Sequence, residues 1–189
     1  IKPDKGSILT PLINTGTFFT REQWLDQHAT HQRLATDGPV DLLMLGDSIL
    51  YGWTWPGRPE IWQRYFPNLS VANLSISGDY IQHLLWRIEN GNIAAFQPRF
   101  VLLLIGANNI DDYSANEIIK GISKILNRVK RTCPAAKIIL TGIFPRGQNP
   151  DTPLRDKIIA INSMMDGFAD EPRIVFHNPG PTLLEPDGT

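Results

Sequence analysis

Three short segments carry the side chains that acyl transfer uses: Gly46-Asp47-Ser48, Ser77-Gly78-Asp79 and Gly106-Ala107-Asn108-Asn109. Each follows an apolar run and joins a glycine to small polar residues. If the runs are parallel strands, all three segments lie on one edge of one sheet, where ligands of open α/β folds bind. A hydroxyl, a bare glycine N–H and a carboxamide would then share one neighbourhood. Ser48 is placed to attack a carbonyl. The Gly78 N–H and the Asn108 side-chain amide are placed to receive the oxygen that becomes negative. Taken singly, each segment also reads as a turn whose Asp, Ser or Asn only caps the backbone. The combination is what points to chemistry.

The elements that position these ends are legible from periodicity. Val40 to Leu45 is a short run that is apolar apart from Asp41, as expected for a strand covered on both faces, and Gly46 ends it by accepting backbone angles that other residues resist. Ser70–Leu74, Phe100–Ile105, Lys137–Thr141 and Arg173–His177 read as four further strands. Between them lie helical patterns. Asp79 or Tyr80 to Asn90 carries Ile81, Leu84, Leu85 and Ile88 at helical spacing, with Gly91 placed to stop it. Ser114-x-x-Glu117 is a capping box opening a helix to about Thr132, with a stripe of Ile118, Ile119, Ile122, Ile125, Leu126 and Val129. Thr152 and Pro153 open another, carrying Ile158, Ile159, Ile161, Met165 and Phe168. Pro59 to Phe66 is expected to be a short helix with Ile61, Trp62 and Tyr65 inward. Strands alternating with helices give the α/β class, a five-stranded parallel sheet in a three-layer α/β/α sandwich.

Ahead of this core, residues 1–19 read as an irregular arm over the surface, and Thr20-x-x-Gln23 caps a helix with Trp24, Leu25, His28 and Leu34 on one face. His28 and His31 stand three apart, a spacing that suits a metal, but no further ligand pattern accompanies them, and solvated or capping histidines are expected. Tyr51-Gly52-Trp53-Thr54-Trp55-Pro56-Gly57 puts three rings beside Ser48, either lining an acyl or sugar pocket or covering the sheet end.

The 189 residues suit one domain, with 42% hydrophobic and 20% charged residues and a net charge of −1. That balance supplies no field to recruit nucleic acid or an anionic membrane. No apolar run has membrane-spanning length. The lone Cys133 cannot close an internal disulfide; it is expected to pack, and it favours a reducing compartment without fixing the localisation. A nucleotide-binding flavodoxin-like reading lacks a glycine-rich loop opening a helix.

With these blocks in register, the chain resembles the SGNH (GDSL) hydrolases. Gly46-Asp47-Ser48-Ile49 matches their first block, Gly78 the second, and Gly106-Ala107-Asn108-Asn109 the third. Asp79-Tyr80-Ile81-Gln82-His83-Leu84-Leu85-Trp86-Arg87 and Gly142-Ile143-Phe144-Pro145-Arg146-Gly147 are similar to stretches of the platelet-activating-factor acetylhydrolase-like branch. The resemblance implies an N-terminal arm and helix over 1–39 and a hydrolase domain over 40–189. It implies Ser48 as nucleophile, with its own N–H, Gly78 and Asn108 as the oxyanion hole, acting on small esters, acetyl above all, of a carbohydrate or lipid-like carrier. It implies no metal and no cofactor. Asp47, Asn109, Trp53 and His83 are the candidate substrate-binding residues, with Asp47 fixing the turn rather than moving protons and His83 lining the pocket rather than acting as base. The fourth block, Asp-x-x-His, is absent: none of His28, His31, His83 and His177 has an aspartate three residues before it. Three readings stay open. The pair and the last helix lie beyond Thr189, a partner chain supplies them and covers the apolar sheet face, or the protein is a non-catalytic structural or binding subunit. His177 is the weakest substitute base.

Overall fold

The computed structural model describes residues 6–16, 18–34, 38–91 and 93–189. Helix α1 (Arg21–Leu34) precedes strand β1 (Leu42–Gly46), a single turn α2 (Ser48–Tyr51) and α3 (Arg58–Tyr65). Then follow β2 (Val71–Asn73), α4 (Ile81–Glu89), β3 (Phe100–Leu104), α5 (Ala115–Thr132), β4 (Lys137–Thr141), α6 (Pro153–Asp166) and β5 (Ile174–His177). The five strands form one parallel sheet in the order β2-β1-β3-β4-β5. The chain steps one way from β1 to β2 and the other way through β3, β4 and β5. Right-handed crossovers therefore place α4, α5 and α6 on one face and α3 on the opposite one.

The larger hydrophobic cluster joins Leu43, Leu45, Val101, Leu103, Ile138 and Leu140 of the sheet to the buried faces of α4, α5 and α6. The smaller joins Leu42, Met44 and Leu104 to Leu50, Trp53 and Trp62. Beyond this second layer the sheet is less well covered: Phe100, Leu102 and Ile139 are half-buried and Val175 is 54% exposed.

Local signals hold at the helix starts. Thr20 and Gln23 exchange hydrogen bonds of 2.9 and 3.2 Å. Ser114 and Glu117 do the same ahead of α5, and the Thr152 hydroxyl accepts from Arg155 N–H. Other expectations change. Ile61 and Tyr65 of α3 point to solvent, and only Trp62 packs inward, because so short a helix buries just the strip facing β1 and β2. Ile159 likewise leaves the α6 stripe, 66% exposed, since it lies off the arc shared by Ile158, Ile161 and Met165. His28 and His31 are buried rather than solvated. Cys133 is buried, and burial pushes its thiol up to about 11.

The arm ahead of α1 is built into the domain. Ile8 and Asn14 are buried, Leu12 N–H donates to Gln82 C=O at 3.1 Å, and the Tyr113 hydroxyl donates to Gly6 C=O at 2.9 Å.

Gly46 is required for a reason other than backbone angles. Its φ is not positive, yet a Cβ there would sit 2.3 Å from the Leu104 carbonyl oxygen, because β1 and β3 draw together at their ends. Prediction: Gly46→Ala forces those strand ends apart and lowers the unfolding free energy by about 3 kcal/mol in urea denaturation. A loss below about 0.5 kcal/mol contradicts this account of the strand end.

Candidate active site

Strand β1 delivers Ser48 to the rim. Asp47 is the N-cap of α2, and its Oδ1 accepts Ile49 N–H at 3.0 Å, which fixes the bend after Gly46. Ser48 is exposed, and its hydroxyl makes no hydrogen bond among the described residues.

The second segment is brought alongside by pairing that continues past β2. Leu74 N–H donates to Met44 C=O at 2.9 Å and Ile76 N–H to Gly46 C=O at 3.3 Å. Asp79 N–H then closes a turn onto Ile76 C=O at 3.2 Å, with Gly78 in its third position at φ +80°. With no positive φ at Ser77, that is the type II turn, which requires glycine there. The third segment follows β3, where Gly106 at φ +117° starts a helical turn over Ala107–Asn109. Asn108 Nδ2 donates to Asp79 C=O at 2.8 Å. That bond uses one of its two hydrogens and fixes the carboxamide plane, leaving the second hydrogen to donate elsewhere. The three predicted segments thus meet at one rim.

Below them lies a buried charge. Asp79 and Arg87 are both inaccessible to water. Arg87 Nε and Nη2 lie 2.9 and 2.8 Å from Asp79 Oδ2, and its Nη1 donates to Leu74 C=O at 2.6 Å. Trp24 Nε1 donates to Asp79 Oδ1 at 2.7 Å. Burial raises the Asp79 pKa, opposed by the Arg87 charge and by hydrogen bonds from Trp24, Arg87 and Asn14. The sequence placed Trp24 on a helix face and Arg87 in a family-like stretch, but it singled out neither of them, nor Asn14, as a site residue. The available signal was an arginine at a stripe position of α4, next to Leu84 and Ile88, where a charge needs a partner.

The remaining predicted residues are placed differently from one another. Asn109 is buried, its Oδ1 accepting Ile81 N–H at 3.0 Å and its Nδ2 donating to Gln82 Oε1 at 2.9 Å. It holds the N-terminus of α4, and its full burial keeps its amide away from a ligand. His83 is buried too, and its Nδ1 accepts Tyr80 N–H at 3.0 Å in a capping box. Both sit behind the rim. Trp53 is half-buried, meets Trp62 edge-on at 5.8 Å, and lines a cavity of about 350 Å³ between α3 and the β1–β2 face, with Met44, Leu69 and Asn73.

No histidine among the described residues is placed to take the Ser48 proton. Burial and the Arg87 charge lower the His83 pKa to about 3. His28 and His31 are in α1, with His28 packed on Trp24 and Trp86; burial, then Arg87, lowers both, His31 to about 3. His177 is exposed on β5, three strand spacings from β1, or about 14 Å. No cluster of three or more histidine, cysteine or carboxylate side chains suited to a metal occurs among the described residues.

Residues 44–189 match the GDSL-like lipase/acylhydrolase family. The chain belongs to this family. Among GDSL relatives, it is 32% identical over 168 residues to platelet-activating factor acetylhydrolase IB subunit alpha1 of Homo sapiens, covering 88% of this chain and 71% of the relative. Its fold is similar to that of a GDSL-like lipase from Bacteroides thetaiotaomicron, with a TM-score of 0.65, 20% identity, and coverage of 85% of this chain and 83% of that one. It is also similar to an acetylxylan esterase from Geobacillus stearothermophilus, with a TM-score of 0.61, 21% identity, and coverage of 80% and 87%. These two likenesses speak for the GDSL fold, the three-layer arrangement around a parallel five-stranded sheet.

Asp47 carries a pH signature. Burial pushes its pKa up to about 7, with the Asp79 charge adding to the rise and Ile49 N–H opposing it, and its Oδ2 is buried without a hydrogen bond. The folded protein therefore keeps this proton up to about pH 7, whereas the unfolded chain loses it near the ordinary value of 3.8. Ionisation thus costs stability as pH rises between those values. Prediction: Asp47→Asn keeps the bond to Ile49 and gains stability over the native protein from pH 4.5 to pH 7.5, on the order of 3–4 kcal/mol in urea unfolding. An equal difference at the two pH values contradicts it.

Proposed function

We propose that this family member is a serine esterase that removes small acyl groups, acetyl above all, from a carbohydrate or lipid-like carrier. Ser48 Oγ attacks the ester carbonyl, and the carbonyl oxygen becomes an oxyanion held by Gly78 N–H, Ser48 N–H and the free hydrogen of Asn108 Nδ2. Collapse expels the carrier alkoxide, which takes up the proton that left Ser48. Water then cleaves the acyl-enzyme by the same steps. The observation that supports this reading is the anchoring of Asn108 to Asp79 C=O at 2.8 Å beside the Gly78 turn, at the sheet end where β1 delivers the exposed Ser48. The acetyl preference is supported by the names of the relatives, an acetylhydrolase and an acetylxylan esterase.

Asp47, Asn109 and His83 act as supports of the rim rather than as substrate contacts, given their burial. Trp53 offers the acyl or carrier group an apolar wall. The proton acceptor is an Asp–His pair from outside the described residues, and the segment that carries it, from the same or a partner chain, also covers the half-exposed face near Leu102 and Val175. A non-catalytic binding subunit is the second reading, favoured by the lack of a placed histidine.

Prediction: in the native full-length protein a fluorophosphonate labels Ser48, and Ser48→Ala abolishes labelling and hydrolysis of 4-nitrophenyl acetate. Asn108→Ala lowers kcat by about 10²–10³-fold with labelling slowed in proportion. Hydrolysis that survives Ser48→Ala overturns the mechanism. Native protein that neither labels nor hydrolyses supports the binding subunit.

A further inference from the structure

The type II turn at Ile76–Asp79 has a known soft point. Its central peptide, Ser77–Gly78, carries the Gly78 N–H, and rotation of that one peptide converts type II into type I, with φ of Gly78 moving from positive to negative. Glycine permits both. Such a flip reverses the direction of the N–H, so a turn that serves as an oxyanion donor needs a restraint from outside itself.

The N-terminal arm supplies contacts at this point. Asn14 is buried; its Nδ2 lies 3.5 Å from Gly78 C=O, and its side chain also hydrogen-bonds the Asp79 carboxyl. Gly16 N–H donates to Asn14 Oδ1 at 3.1 Å, which fixes the orientation of the amide. Asn14 thus touches both groups that follow the flipping peptide. The arm is itself held along its length. Leu12 N–H donates to Gln82 C=O, and Ile8 packs in the core beside Ile81 and Gly121. Gly6 C=O accepts from the Tyr113 hydroxyl, which accepts from Gln82 Nε2 at 2.6 Å. Gln82 in turn accepts from Asn109, the neighbour of Asn108. One strap of chain, 6–16, therefore touches the supports of both proposed oxyanion donors.

We propose that Asn14 is a positioning residue for the acyl-transfer site, and that the N-terminal arm acts as a strap holding the Gly78 turn in the form that aims its N–H at the oxyanion. This rests on the serine esterase reading. The strap acts through Gly78 and Asp79. Removing it leaves the carbonyl carbon accessible and the substrate bound, and it takes away alignment in the transition state. Misplacing a catalytic group by about 1 Å costs on the order of 10²-fold in rate.

The test compares native protein, Asn14→Ala and Tyr113→Phe in the full-length chain. Active sites are counted by fluorophosphonate burst, and kcat is expressed per labelled site. For Asn14→Ala the expected result is a fall in kcat per site of about 10–100-fold with KM for 4-nitrophenyl acetate within about twofold. Tyr113→Phe removes the hydroxyl that anchors the far end of the strap at Gly6 and lowers kcat per site by a smaller factor, also at constant KM. If Asn14→Ala does not fold, Tyr113→Phe decides the matter. A merely structural arm gives fewer labelled sites with native kcat per site, and that result overturns the proposal. Activity that does not depend on Ser48 overturns the esterase reading instead, which keeps the two failures apart.

Discussion

Asp79 carries a carboxylate that water does not reach, in contact with an arginine that water does not reach either. A buried ion pair is costly to assemble, and removing one partner costs about 3–5 kcal/mol because the other charge is stranded. Here the charge is answered by Arg87 on one oxygen and Trp24 on the other, with Asn14 adding a bond. Its main-chain groups are engaged as well, the N–H closing the Gly78 turn and the C=O receiving Asn108. A single residue thus joins the end of β2, the end of β3, helix α4 and helix α1. Any movement of the pair is felt by both proposed oxyanion donors.

Burial first, and the Arg87 charge second, hold the nearby histidines neutral. His28, His31 and His83 cluster around Trp24, Trp86 and Arg87, and a protonated imidazole there would face a guanidinium with little water to screen it. These rings serve as neutral packing groups and, in His83, as a cap. In the proposed mechanism the basic group that deprotonates Ser48 approaches from the solvent side, where Ser48 is exposed.

Much of the architecture was legible in the sequence because its signals are local. Capping boxes at Thr20 and Ser114, the glycines after β1, β2 and β3, and the stripe on α5 each involve residues within a turn or two of one another. The three segments of the candidate site were legible for the same reason: Ser48, Gly78 and Asn108 each follow their own strand. What escaped depends on partners distant in the chain. Trp24 and Asp79 are 55 residues apart, and nothing at either position announces the other. Asn109 and His83 read as pocket residues, yet both are buried, with Asn109 Oδ1 and His83 Nδ1 each accepting a backbone N–H at the start of α4, which only the packing of α4 against the third segment decides. Gly46 was legible as a glycine but for the wrong reason, since the approach of Leu104 is a tertiary fact. The N-terminal arm has no period to read, and its burial comes from side chains that meet it from α4 and from the segment after β3.

The account stands on the convergence of a hydroxyl with two amide donors, and the most direct measurement is a crystal structure of the full-length protein after reaction with a methyl fluorophosphonate. The phosphonyl group should be bonded to Ser48 Oγ, with its double-bonded oxygen about 2.7–3.1 Å from both Gly78 N and Asn108 Nδ2. An adduct whose oxygen faces solvent, out of reach of those two nitrogens, would contradict the central claim and leave only the family fold.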